Sequence, residues 1–110
     1  MTAHDGPIFH LATPDEWTVA TATGEVAPPS LGTEGFVHCS TEEQVASTIE
    51  RHFGGATELL VLRIDLARVA PDLRWEESRP GETYPHVYRA IAIDEVLEVI
   101  PWRRGADDPA

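Results

Sequence analysis

Apolar and polar residues in the first part of the chain predict a strand followed directly by a helix. Ile8–Ala12 is a short apolar run of the strand type. Thr13 follows as a helix N-cap, with Pro14 at the first helical position and Glu16 three residues after the cap. We therefore expect a short helix that starts after Thr13, closes a capping box with Glu16, and ends before Gly24.

The same change of periodicity occurs after Gly35. The predicted strand over 36–39 places Phe36 and His38 on one face, and Val37 and Cys39 on the other. A second helix follows this strand at once. Two capping boxes fit its start, Ser40 with Glu43 or Thr41 with Gln44.

The second helix carries its apolar residues at a spacing of four, and these predict its buried stripe: Val45, Ile49 and Phe53. Between the two helices, residues 25–35 are predicted to form a loop. Pro28 and Pro29 disfavour regular structure in this segment.

The second half of the chain is rich in strand-like segments. A nearly continuous apolar run over 57–64 predicts a central strand that is covered on both faces. Short strands are predicted at 73–76 and between 87 and 91, and a polar loop at 77–83. A last strand over 97–102 contains a proline, which indicates either a sheet edge or the end of the strand. Early helices and late strands predict an α+β fold with a mixed or antiparallel sheet and two short helices.

The composition bounds the class of protein. The 110 residues are expected to form one domain, with a core over about 7–103 and a disordered tail at 104–110. Eight basic and 19 acidic residues give a net charge of -11, which argues against nucleic acid as a partner. The longest apolar run is too short to cross a membrane. One cysteine and no signal-peptide pattern predict a reducing, cytoplasmic location.

Three histidines lie on or beside short strands and close to turns, and they are the candidate site: His10, His38 and His86. We expect them to line one cleft together with Tyr88. Tyr84 and Tyr88 flank His86 at even spacing, so the three share a face that is either an aromatic wall for a flat ligand or half of the core. A single histidine on a strand is more often structural, and that alternative stays open.

Other polar residues near these histidines have two interpretations each. Ser40 is a helix cap, or a nucleophile served by His38, although no G-x-S-x-G motif is present. Cys39 alternates away from His38 and is expected in the core. Glu76 and Glu82 either accept hydrogen bonds from a sugar or are solvated acids. Together with the histidines they give a metal-binding alternative, but the spacing is not that of a metal motif and no metal is expected.

A phosphate-bearing ligand is not expected at the start of the second helix. Glu42 and Glu43 in its first turn suit the helix dipole but repel a phosphate. We expect any phosphates near one of three arginines instead: Arg74, Arg79 or Arg89.

Five segments resemble the small bacterial family called domain of unknown function nine-fifty-two, and the G-F-V-H-C-S string is the most specific: 8–10, 29–31, 35–40, 74–76 and 84–88. The resemblance runs from about Ile8 to Pro101. It implies a compact fold similar to ADP-ribosyltransferases, closest to the tRNA 2′-phosphotransferase branch. His10 and His38 match the histidines that this branch carries on its first two core strands.

The resemblance implies an enzyme, or a former enzyme, that binds NAD or a related ribonucleotide. His10 and His38, with Ser40 beside them, would hold the ribose, and Tyr88 would stack on the nicotinamide. Glu76 or Glu82, with His86, would stabilise positive charge at the anomeric carbon. The chain lacks an evident late glutamate of the kind that classical toxins use, and it lacks the positive charge of a tRNA binder. The alternatives are a non-catalytic domain that binds or senses a small ligand, and a three-histidine metal protein.

Overall fold

The computed structural model describes residues 6–105. Within them it has four α-helices: α1 Pro14–Thr23, α2 Pro29–Thr33, α3 Val45–His52 and α4 Leu66–Val69. It also has nine strands: β1 Ile8–Ala12, β2 Glu25–Val26, β3 Val37–His38, β4 Ser40–Thr41, β5 Glu58–Ile64, β6 Leu73–Arg79, β7 Glu82–Val87, β8 Ile91–Ala92 and β9 Val96–Arg103. The predicted α+β class is confirmed.

The strands form three sheets, ordered β4-β1-β5-β9, β3-β7-β6 and β2-β8. Every strand pair between residues 6 and 105 is antiparallel, so the mixed-sheet alternative is wrong. The chain passes from the three-stranded sheet to the four-stranded sheet at Cys39, between β3 and β4. This crossing brings the end of β3 next to β1.

The main core lies between the sheets. It combines residues from all three of them, including Ile8 and Leu62 from the four-stranded sheet and Val37 and Val87 from the three-stranded sheet. A second core forms where α3 covers the other face of the four-stranded sheet, with Ile49 as its buried helical residue. The central strand β5 is therefore covered on both faces, as its apolar run predicts.

Part of the capping that the sequence predicts at the starts of α1 and α3 is present in the structure. Thr13 Oγ1 accepts a hydrogen bond from the Glu16 amide at 3.1 Å, and Gly24 ends α1 at a φ of 92°. The Glu16 side chain does not close a capping box, because it bonds to His10 instead. Of the two boxes proposed before α3, the structure has the second, in which Gln44 Oε1 accepts from the Thr41 amide at 3.0 Å.

Three segments differ from the prediction. Residues 25–35 are not a loop, since they contain β2 and the short helix α2, whose first position is Pro29. The polar segment 77–83 is the tip of the β6–β7 hairpin, with Gly81 in the turn at a φ of 80°. The strand predicted between 87 and 91 is wrong, because β7 ends at Val87 and β8 begins at Ile91.

The last strand is an edge strand, which is one of the two alternatives that its proline indicates, since β9 lies at the end of the four-stranded sheet. Of the tail predicted for 104–110, Arg104 is hydrogen-bonded to the Thr57, Ala56 and Phe53 carbonyls, and residues 106–110 lie outside the described range. No helix within residues 6–105 is long and apolar enough to cross a membrane.

Candidate functional site

A cleft of about 720 Å³ opens where β1 and the β3–β4 crossing meet α1, α2 and α3. This is a normal volume for a small-molecule site. Its ionisable lining, apart from Cys39, consists of these side chains: His10, Glu16, Glu34, His38, Arg51, His52, Arg79 and Tyr84. Two of the three predicted histidines are therefore in one cleft.

His10 is fully engaged by the protein. Its Nδ1 lies 2.7 Å from the His38 carbonyl oxygen, and its Nε2 lies 2.7 Å from Glu16 Oε2. A carbonyl oxygen only accepts, so Nδ1 is the donor in the first bond. The residue is 5 % exposed. His10 thus links β1 to the end of β3 and holds Glu16 at the cleft.

His38 is one of two exposed histidines that line the cleft, and the other is His52 in the last turn of α3. Its Nε2 lies 2.6 Å from Oε1 of Glu34, the residue that ends α2. The two side chains are 48 % and 50 % exposed. Phe36 packs against the imidazole ring at 4.7 Å between centroids, in an edge-on geometry. No described residue bonds to Nδ1 of His38, so this nitrogen is free to exchange a proton with a ligand.

His86 lies opposite His38 in the β3–β7 pairing but belongs to a separate cluster with Phe36, Glu76 and Tyr88. Phe36 stacks on its ring at 4.0 Å. His86 Nδ1 lies 2.7 Å from Glu76 Oε1, and Tyr88 donates to the same oxygen at 2.6 Å. The bonds from Tyr88 and His86 lower the pKa of Glu76, and the bond to Glu76 raises the pKa of Tyr88. His86 Nε2 is buried and bonds to no residue between 6 and 105.

The predicted convergence of three histidines and Tyr88 on one cleft therefore holds only for His10 and His38. His86 lies beside His38, with 5.2 Å between the ring centroids, but neither it nor Glu76 nor Tyr88 lines the cleft. Phe36, which stacks on the imidazole of His86, does not line the cleft either.

Two further predicted residues are used by the scaffold. Glu82 accepts from Gln44 Nε2 at 3.3 Å, outside the cleft lining. Ser40 lines the cleft, but its Oγ lies 3.2 Å from Thr48 Oγ1 and has no histidine partner among the described residues. The nucleophile interpretation of Ser40 therefore lacks its base.

Of the three arginines proposed for phosphates, only Arg79 lines the cleft. Arg89 is held by Glu95 and Asp72, whose hydrogen bonds raise the pKa of its guanidinium. Arg74 lies over the Tyr88 ring, 4.6 Å from the centroid. The cleft contains another arginine that the sequence did not indicate, Arg51, which donates to the Tyr84 hydroxyl at 2.6 Å.

Four ionisable cleft residues were missed from the sequence, and one of them is His52. Glu16 was assigned to the capping box, Glu34 to a loop, and Arg51 was given no role. The only local signal was the position of Glu34, four residues before His38. No pattern connects Arg51 with Tyr84, which lies 33 residues later in the chain.

Burial determines the role of Cys39, and the arrangement of possible ligands tests the metal-binding alternative. Burial raises the pKa of the Cys39 thiol to about 12, so this residue belongs to the core and is not a nucleophile. The described part of the chain has no group of three or more histidine, cysteine or acidic residues arranged to hold a metal ion. The three-histidine metal interpretation therefore has no ligand set there.

Residues 11–99 match the family described as protein of unknown function (DUF952). The chain belongs to the DUF952 family. It is similar to protein CC0527 from Caulobacter crescentus, whose crystal structure has a TM-score of 0.80 and 31 % identity over 86 % of this chain and 84 % of that one. The solution NMR structure of CC0527 has a TM-score of 0.73 and 32 % identity over 84 % of this chain and 81 % of that one. No curated protein matches the DUF952 chain significantly.

Proposed function

We propose that the cleft binds a ribose-containing nucleotide, with NAD as the first candidate, and that the chain is a transferase-like enzyme of an ADP-ribosyltransferase-like fold. One observation carries the proposal. Two histidine–carboxylate pairs, His10–Glu16 and His38–Glu34, line the same cleft and are joined through the His38 carbonyl.

Such a wall suits the hydroxyl groups of a sugar. Glu16 and Glu34 each use one oxygen on a histidine, and no described residue bonds to the second oxygen of either one. A carboxylate that accepts from a ribose hydroxyl is a recurrent element of dinucleotide sites. His10 has no free ring nitrogen in this arrangement, so its role changes from ribose ligand to the group that positions Glu16 and His38.

The same pairs suit transfer at the anomeric carbon. In that reaction the oxygen of an acceptor hydroxyl or water bonds to the anomeric carbon, while the carbon–nitrogen bond breaks and nicotinamide leaves with the electron pair. His38 takes the acceptor's proton through Nδ1, and Glu34 stabilises the positive charge that develops on the ribose. Glu34 takes the role proposed for Glu76 or Glu82, because neither of these lines the cleft.

The choice of NAD among ribonucleotides rests on the resemblance to ADP-ribosyltransferases. A fold resemblance is weaker evidence for a function than the residues of a site are, because one fold serves many functions. What supports it on this chain is the placement of His10 and His38 on strands that meet at the cleft. The net charge of -11 continues to weigh against an RNA acceptor.

Thermal unfolding with and without NAD tests the proposal. Ligand at about one hundred times its dissociation constant adds roughly 2.7 kcal/mol to the free energy of unfolding. At about 4–8 °C per kcal/mol for a domain of this size, the midpoint rises by at least several degrees. Glu34→Gln should lose most of this rise. Glu98→Gln, which removes the same charge from an exposed position on β9, should keep it. Absence of a rise with millimolar NAD or ADP-ribose would contradict the proposal.

A second candidate function is a non-catalytic domain that binds or senses the same class of ligand. It is favoured by the position of His86 and Glu76, two of the predicted catalytic residues, outside the cleft. Release of nicotinamide from NAD distinguishes the two candidates, because only the enzyme breaks the glycosidic bond.

A further inference from the structure

Part of the cleft presents hydrogen-bond donors that have no acceptor among residues 6–105. Arg51, in the last turn of α3, donates through Nη2 to the Tyr84 hydroxyl at 2.6 Å. Its guanidinium carbon lies 5.8 Å from the Tyr84 ring centroid. Within residues 6–105 no carboxylate forms a salt bridge with Arg51. A neutral group therefore fixes the orientation of this guanidinium and leaves its charge uncompensated.

Tyr84 has a donor to spare as well. Its oxygen accepts from Arg51, and the hydroxyl hydrogen finds no acceptor among the residues that the structure describes. Tyr84 is 6 % exposed, and it lines the cleft. A buried hydroxyl needs an acceptor to satisfy its hydrogen, and the cleft is where an acceptor can come from.

Arg79, at the end of β6, adds a second guanidinium to the cleft. Its nearest carboxylate oxygen is on Glu82 at 3.9 Å, and both side chains are more than one third exposed. Such a surface pair binds weakly and does not tie up the Arg79 donors.

The other arginines of the chain differ in whether a carboxylate forms a salt bridge with them. Arg68, Arg89 and Arg104 each form a salt bridge with at least one carboxylate. Within residues 6–105, Arg63, Arg74 and Arg103 form none, and these three lie outside the cleft. In a chain with 19 acidic and eight basic residues, carboxylates are abundant partners. Arg51 differs from all of these because it lies inside the cleft and a tyrosine holds its guanidinium. This placement suits an anion from outside the chain.

We propose that Arg51, Tyr84 and Arg79 form an anion subsite that takes a phosphate group, such as the diphosphate of a nucleotide. The guanidinium of Arg51 supplies the fork that matches two phosphate oxygens, and Tyr84 donates to the same group. A phosphate fits better than a carboxylate, because two guanidiniums and a hydroxyl offer more donors than two oxygens accept. Only the identity of the rest of the ligand rests on the proposed function.

Calorimetric titration with inorganic pyrophosphate tests the subsite at constant ionic strength. Arg51→Ala should raise the dissociation constant about tenfold or more, since hydrogen bonds to charged groups are lost. Tyr84→Phe keeps the ring and should raise it several-fold. The matched control is Arg63→Ala, which removes the same charge from an exposed position on β5 outside the cleft. It should leave the dissociation constant unchanged.

Two results would overturn the subsite. One is an equal weakening in Arg51→Ala and Arg63→Ala, which would show a general charge effect. The other is the absence of saturable pyrophosphate binding to the native protein. Circular dichroism confirms that each variant is folded, and Arg51→Lys, which keeps the charge without the fork, should bind with intermediate affinity.

An NAD titration of the same proteins separates this inference from the proposed function. Pyrophosphate binding that depends on Arg51, without NAD binding, supports the subsite and contradicts the nucleotide proposal. NAD binding that Arg51→Ala leaves unchanged supports the nucleotide proposal and overturns the subsite.

Discussion

Two histidine–carboxylate pairs lie side by side in the molecule and have different environments. The His38–Glu34 and His86–Glu76 hydrogen bonds measure 2.6 Å and 2.7 Å. The side chain of His38 is 48 % exposed, and that of His86 is 6 % exposed. Phe36 contacts both rings, edge-on to His38 and stacked on His86.

This difference shows that residue type and hydrogen-bond length do not define a site. The pairs differ in the environment of the second ring nitrogen of the histidine, the one that is not hydrogen-bonded to the carboxylate. Nδ1 of His38 belongs to a half-exposed ring at the cleft, whereas Nε2 of His86 is buried without a partner among the described residues. The first pair lines the cleft, and the second joins β6 to β7 through the bond between Glu76 and His86.

The largest expected effect on stability comes from removing the buried imidazole ring of His86. His86→Ala should lower the free energy of unfolding by roughly 2–3 kcal/mol, because it removes the stack on Phe36 and leaves a cavity. His38→Ala should lower it by less than about 1 kcal/mol, because that pair is exposed. Urea denaturation of both variants measures the difference. Equal losses would remove the distinction between the two pairs.

A pH dependence provides the second prediction. Hydrogen bonds from Tyr88 and His86 hold the pKa of folded Glu76 below its ordinary value of 4.5. The stabilisation is therefore complete above about pH 4.5, and it is lost as the pH falls through the lower pKa of the folded state. Glu76→Gln should be less stable than the native protein near neutral pH and should approach it in acid. If the stability difference between Glu76→Gln and the native protein grows as the pH falls, the predicted direction of the pH dependence is wrong.

The smallest expected effect on stability is that of the exposed carboxylate. Glu34→Gln should change the free energy of unfolding by no more than about 1 kcal/mol, since exposed ion pairs contribute little. Urea denaturation at neutral pH measures it. A loss as large as that of His86→Ala would place Glu34 in the scaffold and not in the site.

The parts of the fold that follow from local signals were predictable. Thr13, Pro14 and Gly24 mark the ends of α1, and the stripe that includes Ile49 marks the buried side of α3. The helix α2 was not predictable in this way. A five-residue helix that follows Pro28 and begins with Pro29 is too short to be stable on its own. Tertiary contacts hold α2, since Leu31 packs against the core and Ser30 Oγ donates to the Phe36 carbonyl.

The missing helix explains most of what the sequence did not reveal about the site. Glu34 meets His38 only because α2 ends at that point, so a loop prediction for 25–35 hides the pair. The alternation of strand residues grouped His38 with Phe36 and His86 with the two tyrosines, but it gave no register between the two strands, which pair at His38 and His86. Alternation does not predict which side chains on a strand face pack against a neighbour. In this structure Phe36 stacks on His86.

The central claim is that a nucleotide contacts the His38–Glu34 pair and not the His86–Glu76 pair. Nuclear magnetic resonance of the histidine ring nitrogens during a titration with ADP-ribose tests it most directly. We expect the His38 resonances to shift with a saturable dependence on ligand, and the His86 resonances to stay in place. A shift of His86 without one of His38, or no change in either with millimolar ADP-ribose, would contradict the claim.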